Sequence, residues 1–519
     1  MSAVPATRRR AALVVLVATL LVAVACSPGA SRRPPAVPPA PTVAPTTVAA
    51  ASPTTVRAPG ITWDRCPDHD GWECGKLQVP LDHANPTGPT ITVAISRYRT
   101  KSTRRVGALL VNPGGPGVSG ITYAFTGAAL LDRSLLDAFD IIGFDPRGVG
   151  ASTPVRCLDA PALERYLHLD PDPRTPAGVD ALVAGAKEFA AGCAAHNATL
   201  LPHLSTIDAA QDMDDIRAAL GESKLTYLGF SYGTFLGATY ASLFPTHVRA
   251  LTLDAAVDPT IDQGELNVGQ AVAFEHNLDA FLADCAAHPT RCPFHAHSGQ
   301  SLRQTFDDLA ARVSAHPIPV GGGRTLGRSE MAFGVAFPLY DHSTWPLLGN
   351  ALRDADRGQG QALLDNFDAY AERNSDGTYT NSQEANSAVT CLDRPVPSSV
   401  DGFAALVAKA RPAAPFFAGV AVWGNLPCLY WPVPPRGHPG PLAAPGAPPI
   451  VVVGSTGDPA TPYSGAVHLT AGLGPGAVLV TRHGDGHAGY PSSACVRDDV
   501  DAYLTTLALP AHRDCGSDG

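Results

Sequence analysis

The stretch Leu225-Thr-Tyr-Leu-Gly-Phe-Ser-Tyr-Gly-Thr-Phe-Leu-Gly-Ala-Thr-Tyr-Ala-Ser242 decides how this chain is read. Its first six residues form an apolar, strand-like run, and small residues at helical spacing follow Ser231. Gly229 and Gly233 flank the serine, where a strand-to-helix turn is too sharp for bulky neighbours. Such a corner leaves the Ser231 hydroxyl exposed. The N–H of Tyr232, at the positive end of the following helix, faces the place where an oxyanion would form. The pattern predicts acyl transfer to water with Ser231 as nucleophile.

A bare G-x-S-x-G is weak in a chain holding 50 glycines among 519 residues; its position between strand and helix gives it weight. Hydrophobic residues at 45% and charged residues at 16% describe a globular chain able to bury a large core. A formal net charge of −10, with no basic cluster beyond the N-terminus, speaks against a nucleic-acid partner. No C-x-x-C or H-E-x-x-H offers a metal site, and the chemistry needs no cofactor.

Working outward from the serine, apolar runs predict strands at residues 90–98, 106–112, 139–144, 225–230 and 248–253. Helical patterns lie between them at 177–196 and 207–220. From about 259 to 445 the pattern becomes helix-like, with stretches 266–288, 301–316 and 400–409 broken by Pro- and Gly-rich turns and no convincing buried strand. Strands return at Pro449-Ile-Val-Val-Val-Gly454 and at 477–481, before a closing helix near 496–507. The expected architecture is an α/β-hydrolase: a mainly parallel sheet with helices on both faces, and a largely helical cap inserted at 259–445. Residues 61–258 and 446–519 are the two parts of its core.

A serine hydroxyl needs an imidazole to take its proton, and the imidazole needs a carboxylate to fix its tautomer. In this fold the chain order is serine, acid, histidine, each after a strand. Asp458, just past the strand ending at Gly454, and His487, just past the strand ending near Arg482, meet that order. His483 and Asp485 are the rival base and acid. The loop Asn112-Pro-Gly-Gly-Pro-Gly117 follows an early strand, so Gly115, with Gly114 the near alternative, supplies the second oxyanion donor beside Tyr232.

These motifs, with Phe139-Asp-Ile-Ile-Gly-Phe-Asp-Pro-Arg-Gly-Val-Gly150 and Gly457-Asp-Pro-Ala-Thr-Pro462, together resemble the tripeptidyl aminopeptidases over about residues 63–515. These are secreted or lipid-anchored serine exopeptidases related to prolyl aminopeptidases. The resemblance implies Ser231, His487 and Asp458 as nucleophile, base and acid, acting on peptides with free N-termini. Thr461 is read as a helix cap, and Asp145 with Arg147 as a pair pinning a loop. An exopeptidase should hold its substrate's ammonium with a carboxylate near the cap, for which Asp258, Asp262 and Glu265 are candidates. A carboxylesterase or lipase using the same machinery is the alternative activity.

The N-terminus reads as an export signal over residues 1–25, with Arg8-Arg9-Arg10 ahead of an apolar stretch. Ala23-Val24-Ala25 fits ordinary cleavage, while Cys26 at once after it fits lipid attachment. The chain has 11 cysteines, and removing Cys26 leaves an even set. Sequence neighbours suggest Cys66–Cys74, Cys157–Cys193, Cys285–Cys292, Cys391–Cys428 and Cys495–Cys515. Cys26 then carries the lipid, and residues 26–60, rich in Pro, Ala and Thr, form a tether on the outer face of the membrane.

Overall fold

The computed structural model describes residues 60–128, 131–437 and 439–516. The export signal, Cys26 and nearly all of the tether lie outside the described residues.

The strands are β1 Thr62–Arg65, β2 Trp72–Pro80, β3 Thr90–Tyr98, β4 Gly107–Asn112, β5 Phe139–Phe144, β6 Leu225–Phe230, β7 Val248–Asp254, β8 Ile318–Pro319, β9 Thr325–Leu326, β10 Val451–Gly457, β11 Val478–Asp485 and β12 Asp514–Cys515. All but the β8–β9 ribbon join one sheet in the order β1-β2-β3-β5-β4-β6-β7-β10-β11-β12. The first four of these pair antiparallel, and from β5 onward the neighbours run parallel. The ribbon is the only strand structure described between β7 and β10, in a block whose sequence showed no buried strand.

Every residue of β4, β5 and β6 is buried, as expected of strands covered on both faces. Their side chains alternate between two apolar layers. Leu110, Tyr227 and Val452 belong to one, and Leu109, Leu228 and Val453 to the other. Around the sheet lie α1 Gly120–Gly127, α2 Arg133–Ala138, α3 Ala160–Leu167, α4 Pro176–Asn197, α5 Thr206–Ala219 and α6 Tyr232–Leu243. The cap follows β7 as α7 Gln263–Ala287, α8 Leu302–Ala315, α9 Arg328–Leu339, α10 Trp345–Asp356, α11 Gln361–Ala371, α12 Ser382–Asp393, α13 Val400–Ala410 and α14 Ala418–Trp423. The chain then re-enters the sheet at β10 and closes with α15 Tyr463–Leu473 and α16 Ala494–Thr506. Among the described residues no helix is long and apolar enough to cross a membrane.

Disulfides join Cys66–Cys74, Cys157–Cys193, Cys285–Cys292, Cys391–Cys428 and Cys495–Cys515, the five pairs suggested by sequence neighbours. Cys391–Cys428 ties α12 to the one-turn helix Leu426–Tyr430 that follows α14. It fixes one wall of the cleft described next.

Candidate active site

Ser231 stands between β6 and α6 with φ 56° and ψ −126°, a backbone conformation that a residue with a side chain adopts only under constraint. Two contacts supply the constraint. Its N–H donates to the carbonyl of Asp254 at 3.0 Å, and its own carbonyl accepts the N–H and hydroxyl of Thr234 at 2.8 and 2.6 Å. The glycines beside it leave no room for alternatives. A Cβ on Gly229 would meet the Gly233 carbonyl at 2.6 Å, and one on Gly233 the Asn112 carbonyl at 2.9 Å.

The loop after β4 lies directly on this corner. A Cβ on Gly114 would come within 2.8 Å of the Ser231 Cβ and 2.9 Å of the Tyr232 nitrogen. The N–H of Gly114 is already given to the Asn112 side chain at 3.0 Å, whereas that of Gly115 has no such partner. Gly115 therefore has the free donor, and both it and Tyr232 line the cleft with Ser231. The Tyr232 N–H sits in the first turn of α6, where helical partners are missing.

β10 and β11 deliver the other two groups. Asp458 follows β10 and has a fully buried carboxylate. Its Oδ1 accepts the N–H groups of Ala460 and Thr461 at 2.9 and 2.8 Å, and Oδ2 the Thr461 hydroxyl at 3.0 Å. His487 Nδ1–H donates to both oxygens, at 2.9 and 3.0 Å. Burial opposes protonation of the imidazole, but the Asp458 charge and, less strongly, that of Asp254 outweigh it, so its pKa is raised above the ordinary histidine value. The cap holds this loop in place: the His487 N–H donates to the Tyr340 carbonyl at 2.7 Å, and the Tyr340 ring meets the imidazole edge-on at 5.3 Å. Ser231 Oγ makes no hydrogen bond to the imidazole here. Such bonds tighten when substrate binds.

The rivals lie elsewhere. His483 is half exposed and contacts Asp514 at 3.2 Å, at the far edge of the sheet. Asp485 packs against Gly457, where an added Cβ would meet its Oδ1 at 2.3 Å.

Three expectations need correction. Thr461 does not cap α15, because Pro462 holds that position; it contacts the acid and approaches His487 Nδ1 at 3.4 Å. Asp145 and Arg147 do not pair with each other. Asp145 accepts from Ser119 Oγ and the N–H groups of Ile121 and Ala151, whereas Arg147 crosses to Asp212 at 2.6 Å. None of Asp258, Asp262 and Glu265 lines the cleft. Asp258 is held by Thr260 and by His468 at 2.6 Å, Asp262 caps α7 by accepting the Glu265 N–H at 2.8 Å, and the Glu265 side chain is not directed into the cleft. A short polar residue at the chain's entry into a helix is taken by the helix end before any ligand.

The cleft between core and cap measures about 280 Å³. It is small for a ligand site, room for a few residues of an extended chain rather than a folded surface. Its apolar walls include Phe235, Leu266, Phe274 and Phe333, and six amide side chains interrupt them: Gln263, Asn267, Gln270, Gln383, Asn386 and Asn425. Sequence reasoning missed these amides, since they are scattered over α7, α12 and the turn after α14. Gln270 also steadies the acid loop, its Nε2 donating to the Ala460 carbonyl at 2.7 Å. His83, Asp212 and Asp215 approach closely enough to share a cation, but the Arg147 guanidinium is already there, 2.6 Å from Asp212 and 3.0 Å from His83.

Residues 107–317 match the profile of the α/β hydrolase fold family, and residues 414–515 that of the TAP-like proteins. The chain is 36% identical over 450 residues to Serine protease Hip1 of Mycobacterium tuberculosis, covering 84% of this chain and 86% of that protein. It is 36% identical over 467 residues to the Tripeptidyl aminopeptidase of Streptomyces lividans, covering 86% and 84%. Carboxylesterase B of M. tuberculosis is 35% identical over 473 residues, covering 88% and 89%.

Proposed function

Because the chain belongs to the tripeptidyl aminopeptidase family of α/β-hydrolases and is a hydrolase, we propose that it is a serine peptidase releasing tripeptides from free N-termini. The observation that carries this reading is the ring of amide side chains over Ser231. Asn267 Nδ2 and Gln263 Nε2 both donate to Asn425 Oδ1, at 2.9 and 3.3 Å, which leaves the Gln263 carbonyl and the Asn425 amino group to pair with main-chain N–H and C=O. A cleft made for an acyl chain alone would have no use for these amides among its apolar walls.

In the proposed reaction the Ser231 hydroxyl attacks the scissile carbonyl carbon while its proton passes to His487 Nε2. Asp458 holds Nδ1–H and stabilises the imidazolium. The N–H groups of Tyr232 and Gly115 receive the oxyanion. Collapse expels the amine, which takes the proton from His487, and leaves an acyl-enzyme at Ser231. Water, deprotonated by the same histidine, then hydrolyses that ester.

The five disulfides support an oxidising compartment, and with it export; a lipid on Cys26 is the anchor we propose from the sequence alone. The aromatic walls of the cleft favour esterase activity as the second reading. Turnover of unblocked tripeptide anilides against short-chain esters separates the two. Peptides left intact while esters are hydrolysed would remove the peptidase reading.

A further inference from the structure

Among the described residues only two formally charged side chains line the cleft, Asp393 and Arg394, which stand together at the C-terminal end of α12. Both are buried, with 7% and 5% of their surface exposed. Neither charge cancels the other through a hydrogen bond. Asp393 Oδ1 accepts the Thr206 N–H at 2.7 Å, and Oδ2 the Thr206 hydroxyl at 2.5 Å. Burial pushes the Asp393 pKa up to about 7 against the pull of Thr206 and Arg394, so a cation arriving beside it favours the ionised form. That form has about four acceptor sites, of which two remain.

Arg394 is less satisfied. Its Nη1 donates to the Ile261 carbonyl at 2.7 Å, and the guanidinium lies 4.9 Å from the Phe235 ring centre. Its Nη2 is buried with no hydrogen-bond partner. An unpaired guanidinium N–H out of water costs about 1–3 kcal/mol or more, so its place beside a cleft points to an acceptor that arrives with the ligand.

The two neighbours thus offer one acceptor for a cation and one donor for an oxygen. The first residue of an unblocked peptide carries an ammonium and a carbonyl on either side of one Cα. We propose that Asp393 and Arg394 form the anchor for that residue, with the Asp393 carboxylate accepting its α-ammonium and the Arg394 Nη2–H donating to its carbonyl oxygen. This rests on the peptidase reading above and names the subsite that makes it an exopeptidase. The anchor is also wired to the reacting centre. Thr206 gives its hydroxyl proton to Asp393, so the Tyr232 hydroxyl, 2.5 Å away, donates to Thr206. Asp393 is therefore tied, through Thr206, to the side chain of the residue next to Ser231.

Calorimetric titration of the Ser231→Ala chain with an unblocked tripeptide amide and its N-acetyl form tests the anchor without turnover. The unblocked peptide is expected to bind at least about tenfold tighter. Adding Asp393→Asn should bring the two within about twofold of each other. Adding Arg394→Gln, which leaves the Thr206 contacts alone, should weaken both forms by about tenfold and preserve their ratio. Equal binding of the two peptides, survival of the full advantage in Asp393→Asn, or unchanged affinities in Arg394→Gln would each overturn the anchor. Should Asp393→Asn not fold, the peptide comparison in Ser231→Ala and the Arg394→Gln arm decide. Cleavage is read separately on the wild type. Selective binding by a chain that cleaves no peptide would leave the anchor standing and remove the peptidase reading; equal binding by a chain that cleaves peptides would do the reverse.

Discussion

The main-chain carbonyl of Asp254 accepts the N–H of Ser231 at 3.0 Å. The same residue's carboxylate accepts the N–H groups of Gly489, at 2.9 and 3.1 Å, and of Tyr490, at 2.7 Å. One residue at the end of β7 thereby ties the corner carrying the hydroxyl to the loop carrying the imidazole. Burial pushes its pKa up to about 6 against the pull of those N–H donors, so at neutral pH it is a second negative charge near His487.

That charge has a readable consequence. The base works only when neutral, so kcat/KM falls as pH drops through the pKa of His487, which is raised. The acid limb is expected above the ordinary histidine value of 6.5 and belongs to the interacting groups together. Asp254→Asn keeps an acceptor for the loop and removes the charge, so the limb should move to lower pH. A pH–rate profile on a tripeptide anilide checks this; an unmoved limb would show that Asp254 acts only as a strut.

Asp458→Asn is expected to lower kcat by about 10⁴. Thr461→Val removes one donor to the same carboxylate and should cost about tenfold in kcat with little change in KM. Steady-state kinetics and a melting curve for each variant separate lost alignment from lost folding.

Gly114→Ala places a methyl group 2.6 Å from the Phe230 carbonyl, at a backbone φ of 99° that side chains avoid. The loop must retreat from the corner and carry the Gly115 N–H with it. Loss of one oxyanion donor lowers kcat by about 10²–10³. The expected signature is a fall in kcat larger than any rise in KM.

The Cys391–Cys428 bond closes a sequence separation of 37 residues and holds α12, with Asn386 and Asp393, to the short helix Leu426–Tyr430 after α14. Replacing both cysteines by serine should cost about 3–4 kcal/mol. Thermal unfolding should show a lower Tm, and a raised KM should accompany it if the wall of the cleft loosens as expected.

Much of the fold was legible because its strongest signals are local. β4, β5 and β6 are continuous apolar runs, and the Gly229–Gly233 corner admits little else. The hairpin of β1 and β2 was not read, because Glu73, Lys76 and Gln78 break the apolar pattern on an antiparallel edge with a solvated face. The acid and base could be named from their order after strands. The cleft could not. Gln263, Asn386 and Asp393 are ordinary polar residues in their own helices, and only the folding of α7 and α12 over Ser231 gives them a common object. Asp258 and Asp262 lay at the right boundary in sequence, yet helix capping and His468 had the prior use of them.

The central claim is that Ser231, activated by His487 and Asp458, is the reacting group. Fluorophosphonate labelling followed by peptide mapping tests it most directly. The wild type should carry the label on Ser231, with the labelling rate falling by orders of magnitude in His487→Ala and Asp458→Asn and no label in Ser231→Ala. Label on another residue, or Ser231→Ala that still hydrolyses substrate at the wild-type rate, would contradict it.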